Sequence, residues 1–403
     1  MLKFIHAGDA HLGNAFVGLR DVPDWLIEKL QKATLEAFKE LIETALNEDV
    51  DIVLLPGDVY NTNELNPRIQ LFLMEQLERL KQNNIPVILS YGNHDFMSSV
   101  EQLPVFPKNV HVFGPNVETF YLVTDHGDKV AVSGFSYPTR HITENRVKEF
   151  PSKQVDETYH IGMYHGALGA AGVGDYAPFN LNDMNAKRYQ YWALGHIHVR
   201  QILQEQPFIG YSGSLQGLNH KEVGPKGFYL VQSDENQQLV PTFRASAPLV
   251  WKTEILTFQH DEEVKIQDLI ERVKHINSAD EETFLLIQLK IETADRQQMQ
   301  ILNSEAFYQQ LKNQIQPDDQ IFIYRIDAQM QVLETVVPEL PIQPNEKLLD
   351  QLVTLDNLNE LGLNLVDNST IFEMLTSSDN LAELKQQIQV ELKNIQGGAK
   401  NVD

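Results

Sequence analysis

The sequence predicts an α/β protein, and three observations carry that prediction. Short aliphatic runs alternate with amphipathic helical stretches from the N-terminus onward, as repeated strand–helix units do. Within the runs Val, Ile and Leu are nearly continuous, which fits strands covered on both faces of a parallel sheet. A polar cluster closes each run at what becomes its carboxyl end, where open α/β sheets bind ligands.

The first run, Lys3 to Ala7, ends at Gly8-Asp9. From Leu26 onward, apolar residues recur at Leu30, Ala33, Ala37, Leu41 and Ala45, one face of a helix. Ile52 to Leu55 is a compact aliphatic strand stopped by Pro56-Gly57-Asp58. A second helix is expected from about Pro67 to Gln82, then a strand over Pro86–Ser90 that leads into Tyr91-Gly92-Asn93-His94-Asp95. Further strands are expected near Ala131–Phe135, Tyr159–Tyr164, Tyr191–Leu194 and Phe208–Ser212. Between about Val240 and Pro248 the character changes. Strand-like runs at Leu249–Phe258, Thr283–Ile291 and Gln320–Ile326, with helical stretches between them, predict a small α+β domain. Pro338, Pro341 and Pro344 mark a linker. Beyond it, Asn380 with Glu383 resembles a capping box, and Leu381, Leu384, Ile388, Leu392 and Ile395 form a heptad-like stripe. The expected division is therefore 1–245, 246–335 and 336–403.

Composition narrows the function classes. The 403 residues are 42% hydrophobic and 22% charged, ordinary for a globular protein. There is no cysteine, which excludes disulfide frameworks, Cys-zinc sites, iron–sulfur clusters and thiol catalysis. The opening MLKFIHAGDAHLG does not read as a signal peptide, and no run approaches the roughly 20 apolar residues of a membrane span. A cytoplasmic protein without a membrane partner is expected. The formal net charge is −24, of which residues 1–245 contribute −9 and residues 246–403 contribute −15. A nucleic-acid binder ordinarily has a basic footprint, so intrinsic duplex binding is expected to be weak.

Five polar clusters close apolar runs: Asp9-Ala-His11, Gly57-Asp58, Gly92-Asn-His-Asp95, His165-Gly166 and Gly195-His-Ile-His198. Singly, each has a bland reading as a turn acid, a turn Asn or a hydrogen-bonded rim His. Together, imidazoles and carboxylates suit borderline divalent metals such as Mn, Fe or Zn. Seven candidate ligands, Asp9, His11, Asp58, Asn93, His165, His196 and His198, exceed the needs of one ion. They serve two ions about 3.5–4 Å apart if a carboxylate bridges them, a template for phosphoester cleavage. In extended chain alternate residues face the same side, so Asp-x-His and His-x-His each deliver both ligands to one site.

This series resembles the calcineurin-like metallophosphoesterase superfamily, with every motif element present over roughly residues 1–245. Asp9-Ala-His-Leu-Gly13, Leu55-Pro-Gly-Asp58 and Tyr91-Gly-Asn-His-Asp95 are most similar to the SbcD-type DNA-repair nucleases, within them the YhaO-like bacterial branch. Asn61 departs from the acidic residue usual there. The resemblance implies a sandwich of mixed sheets flanked by helices, with a small capping domain and a helical tail. It implies that Asp9, His11 and His198 hold one metal, that Asp58 bridges, and that Asn93, His165 and His196 hold the other. His94 would then protonate the leaving oxygen, which a near-neutral imidazole suits, and Asp95 would hydrogen-bond the His94 ring. It further implies Mn2+ as the metal, DNA as substrate, an SbcC-like coiled-coil ATPase gripping the tail stripe, and a homodimer through a segment such as Leu65–Leu80. The expected function is a Mn-dependent DNA nuclease within an SbcCD-like repair complex. A phosphoesterase for nucleotides or other small phosphoesters is the alternative, and a non-enzymatic scaffold a third. Other basic residues, Arg140, Lys187, Arg188 and Lys226, are candidates to touch a phosphate backbone. His6 and His160 have no ligand spacing and read as ordinary.

Overall fold

The computed structural model describes residues 1–60, 66–97, 105–169, 176–258, 264–276, 283–293, 295–330, 354 and 385. Met1–Gln331 form one compact unit and Val332–Asp403 a second. The expected linker and the stripe from Leu381 to Ile395 lie outside the described residues, as do Asn61 and Leu65.

In the first unit the strands run β1 Lys3–His6, β2 Ile52–Pro56, β3 Val87–Ser90, β4 Val110–Val112, β5 Glu118–Val123 and β6 Lys129–Gly134. They continue with β7 Tyr159–His165, β8 Tyr191–Gly195, β9 Gln201–Gln204, β10 Phe208–Tyr211, β11 Gly227–Ser233 and β12 Leu239–Ala245. The helices among them are α1 Asp24–Asn47, α2 Pro67–Gln82 and α3 Leu181–Ala186. One six-stranded sheet has the order β12-β11-β1-β2-β3-β4, and a second β5-β6-β7-β8-β10-β9. β1 to β4 are mutually parallel, as the sequence predicts, but β11 enters antiparallel beside β1 (Ile5 opposite Leu230). In the second sheet β5 and β9 are the antiparallel members. Both sheets are therefore mixed.

The sheets face each other across a core of Phe4, Ile52, Leu54 and Ile88 from one and Val132, Ile161, Met163 and Ala193 from the other. Helices cover the outer face of the first sheet. α1 turns Ala37, Phe38, Leu41, Ile42 and Ala45 inward, all fully buried, and α2 adds Leu73, Leu77 and Leu80. Pro67 opens α2 behind Asn66, whose side chain caps the Arg68 amide. Truncating one of these apolar residues, such as Leu41→Ala, costs roughly 2–5 kcal/mol. Leu71 of α2 is the exposed exception.

Strands β13 Leu249–Thr257, β14 Phe284–Thr293 and β15 Ile321–Met330 form a third, parallel sheet, with helices α4 Ile266–Lys274, α5 Arg296–Leu302 and α6 Glu305–Lys312 alternating between them. One face of this sheet packs Trp251, Leu286 and Phe322 against Leu26 and Ala33 of α1.

Candidate metal centre

Each sequence-predicted cluster sits where a strand ends, and the two sheets bring those ends together. Asp9 and His11 follow β1, Asp58 follows β2 and Asn93 follows β3 in the first sheet. His165 closes β7, and His196 and His198 follow β8 in the second. The β1–β2 ladder continues past the strands, with His11 N donating to Asp58 O at 3.0 Å and Leu12 N to Val59 O at 2.9 Å. Asp9, His11, Asp58 and His196 adopt φ values of 51°, 43°, 52° and 104°, in the left-handed region. Such residues cost roughly 1–3 kcal/mol each and persist where surrounding contacts over-determine them. Here the contacts are bonds between the sheets. His196 N donates to both Asp9 oxygens at 2.9 and 3.0 Å, and His165 Nδ1 donates to Pro56 O at 3.0 Å. A Cβ on Gly92 would land on Asp58 Oδ1 and the His165 ring, so the third cluster approaches this closely only with glycine there.

Two groups of potential ligands result, with donor atoms within 4.8 Å of one another: Asp9, His11 and His198, and Asp58, His165 and His196. Asn93 joins the second group, its Oδ1 lying 2.9 Å from His165 Nε2 and 3.0 Å from His196 Nδ1. Asp58 reaches both, with Oδ2 3.4 Å from His165 Nε2 and 3.8 Å from His11 Nε2.

Hydrogen-bond chemistry tests whether this set fits metal. The Pro56 carbonyl can only accept, so His165 Nδ1 carries a proton and the neutral ring turns the Nε2 lone pair inward. That lone pair meets Asn93 Oδ1 and Asp58 Oδ2, which are also acceptors. His198 Nδ1 meets Glu222 Oε1 at 3.0 Å, which likewise leaves its Nε2 lone pair facing His11 Nε2 at 2.9 Å. Acceptors that converge in a buried space require a cation between them. The donor set of imidazole, carboxylate and amide oxygen fits borderline divalent metals. The outer bonds, from His165 to a carbonyl and from His198 to a carboxylate, are the kind that orient ligating histidines.

Residues 2–200 match the family described as calcineurin-like phosphoesterase. This stretch is a calcineurin-like metallophosphoesterase domain. Relatives include the protein named "uncharacterized metallophosphoesterase YhaO" of Bacillus subtilis, 36% identical over 62% of this chain and 62% of that protein. The DNA double-strand break repair protein Mre11 of Methanocaldococcus jannaschii is 28% identical over 58% of this chain and 63% of its own length. The SbcD nuclease of the SbcCD complex of Staphylococcus epidermidis is 27% identical over 69% of this chain and 77% of that protein. The chain thus spans less than two thirds of the YhaO and Mre11 proteins.

Electrostatics in the metallophosphoesterase domain follow from burial and pairing. Burial pushes Asp9 up to about 6 against the pull of His165 and His198. Burial also opposes charge on Asp58, but His165, His11 and His94 hold it well below the usual carboxylate range. Against the same burial, Asp58 lifts His165 to about 9. His11 falls to about 3 because it is buried, and His196 falls to about 3 because it is buried beside His165. In His198, the Glu222 bond and Asp9 outweigh burial and raise it.

His94 lies at the rim of the domain's site, half-buried. Its amide donates to Asp58 Oδ1 at 2.9 Å, and its ring meets the His11 ring edge-on at 5.1 Å. Asp95 departs from expectation. Its carboxylate does not bond the His94 ring among the described residues; it accepts the backbone amides of Val59 (2.7 Å), Tyr60 (3.1 Å) and Gly92 (2.6 Å). A buried carboxylate satisfied by three amides of two loops has no geometry left for a neighbouring ring, so its role is to tie the Asp58 loop to the Asn93 loop. Burial and Asp58 nevertheless push it up to about 7, against those amides.

Lys226 is also corrected. It is buried and donates to the His198 carbonyl at 2.9 Å, while Lys187 donates to the carbonyls of Lys148 and Phe150. Glu222 escaped the sequence reading because it stands 24 residues from His198 in no motif. His6 and His160 are internal, as expected: His6 between Tyr191 Oη and the Leu194 carbonyl, His160 between Glu157 and Ser133. Among the described residues no helix is long and apolar enough to cross a membrane.

Proposed function

We propose that the protein is a Mn-dependent DNA nuclease that hydrolyses phosphodiesters at a two-metal site. The observation that carries this reading is the convergence of two His/Asp groups on Asp58 with half-buried His94 at their rim. Asp9, His11 and His198 would hold one ion, Asn93, His165 and His196 the other, with Asp58 shared. When bound, such a pair supplies positive charge to the phosphoryl oxygens and lowers the pKa of a water nucleophile. The chain's own part is to fix that pair and offer an acid. Asp58 anchors the His94 amide, which holds its imidazole beside the ligands, placed to protonate a departing alkoxide. Asp95 keeps the loops of Asp58 and Asn93 in register.

DNA as substrate is supported by relatives named as a double-strand break repair protein and as a nuclease. On that likeness the protein is further proposed to be cytoplasmic and to act as the catalytic component beside an SbcC-like coiled-coil ATPase. The division at 245 and 335, with the tail as ATPase-binding region, and a homodimer belong to the same proposal. The net charge of −24 favours a second reading, a phosphoesterase for nucleotides or other small phosphoesters.

The test is Mn-dependent cleavage of end-labelled single- and double-stranded DNA, with Asp58→Ala and His94→Ala alongside. A product ladder lost in both variants supports the nuclease. DNA left intact with and without an SbcC-like ATPase, while a small phosphodiester is hydrolysed, overturns it in favour of the second reading.

A further inference from the structure

Glu222 lies outside every motif of the site, yet its carboxylate is built into it. Oε1 accepts from His198 Nδ1 at 3.0 Å and from Asn219 Nδ2 at 2.5 Å, and Oε2 accepts the Leu218 amide at 3.0 Å. The group is thus held by its own loop and has one direction left, toward the imidazole. A carboxylate can only accept, so it fixes the proton on Nδ1 and turns the Nε2 lone pair toward His11 and Asp9. The backbone of His198 is pinned as well, its carbonyl taking the Lys226 ammonium at 2.9 Å and the Ser214 amide at 3.2 Å.

The loop that carries Glu222 is clamped by the third sheet. Trp251 of β13 donates its indole N–H to Gly217 O at 2.9 Å, and its backbone carbonyl accepts from Gly224 N at 2.9 Å. One residue therefore grips both sides of Glu222. Gln216 adds a bond from Nε2 to Leu249 O at 2.6 Å. Trp251 itself is buried, edge-on to Tyr324 at 4.9 Å and stacked on Phe16 at 6.1 Å.

We propose that Glu222 is the positioning residue of His198, and that the third sheet, through Trp251, sets the affinity of the ion held by Asp9, His11 and His198. The inference rests on the two-metal reading of the site. It predicts an asymmetry, because Asp58, Asn93, His165 and His196 make no bond to this loop among the described residues, so the other ion is left alone.

Calorimetric titration of the full chain with Mn2+ tests it, using Glu222→Gln and Trp251→Phe. Wild type is expected to take up two ions. Glu222→Gln, nearly isosteric, weakens one of the two by about tenfold to a hundredfold and leaves the other within about twofold. Trp251→Phe, which removes only the indole donor, weakens the same ion by roughly threefold to fivefold. Two unchanged affinities in Glu222→Gln overturn the positioning role, and an equal loss at both sites in a variant with native circular dichroism overturns the asymmetry. An unaltered titration in Trp251→Phe overturns the part given to the third sheet. Wild type that binds no Mn2+ refutes the two-metal reading itself, a different result from any of these.

Discussion

Replacing Asp95 with Asn tests the loop-tying role at nearly constant shape. Three amides point at the carboxylate: Val59 and Tyr60 at one oxygen, Gly92 at the other. An Asn side chain offers one acceptor oxygen. Its best placement keeps the Val59 and Tyr60 bonds and sets an NH2 against the Gly92 N–H, where the carboxylate bond is 2.6 Å. One bond to a charged group is worth roughly 1.5–3 kcal/mol, and a stranded buried N–H adds about 1–3 kcal/mol. Relief of a buried charge beside Asp58 offsets part of this. The net expectation is a loss of about 2–3 kcal/mol, a shift of about 1 M in the urea midpoint followed by Trp fluorescence. His94→Ala is expected to cost under about 1 kcal/mol, since its ring is only half-buried. The double variant is expected to be additive within about 0.5 kcal/mol, because the structure gives ring and carboxylate no shared bond. An unchanged midpoint in Asp95→Asn refutes the tie between loops. A coupling above about 1 kcal/mol would instead reinstate the His94–Asp95 bond expected from sequence.

Three further outcomes are expected. His6 is fully buried, and burial lowers it from 6.5 to about 4; the unfolded chain therefore takes up the proton first as pH falls. Stability present above about pH 6.5 is lost on acidification toward pH 4, by roughly 3 kcal/mol from this group. His6→Gln flattens that slope in urea unfolding at a series of pH values, and an identical slope in the variant contradicts the assignment. Gly92→Ala drives a methyl into Asp58 Oδ1 and the His165 ring, so metal content measured by mass spectrometry after Mn2+ loading drops below one ion per chain; full loading would refute the crowding. Duplex DNA binding by the isolated chain is expected to be weak at a net charge of −24, with a log–log salt slope no steeper than about −3 in fluorescence anisotropy. Tight binding with a steep slope would overturn that expectation.

What the sequence determined by itself is local. Aliphatic runs fixed the strand positions, because consecutive Val, Ile and Leu have no way to bury except inside a sheet. The clusters after those runs identified all seven ligand candidates, because backbone alternation carries Asp9 with His11 and His196 with His198 to one side. The helical stripe from Leu26 to Ala45 likewise became α1. Strands such as β11 and β12 stayed hidden, since their place depends on β11 pairing antiparallel with β1, Ile5 opposite Leu230 across most of the domain's length.

Tertiary structure decided which polar groups speak to the site. His6 and His11 are the same residue type in one short stretch; one is spent on Tyr191 and Leu194, the other faces His198 across 187 residues of chain. Asp95 follows His94 in sequence, but two loops deliver three amides to its carboxylate and leave the ring without it. Lys226 looked like a phosphate contact and is instead a prop beneath His198, while Glu222 had no motif at all. In each case the deciding bond joins segments that only the packing of sheet against sheet brings within about 3 Å, and hydrogen bonds of that reach leave no periodicity in the chain to read.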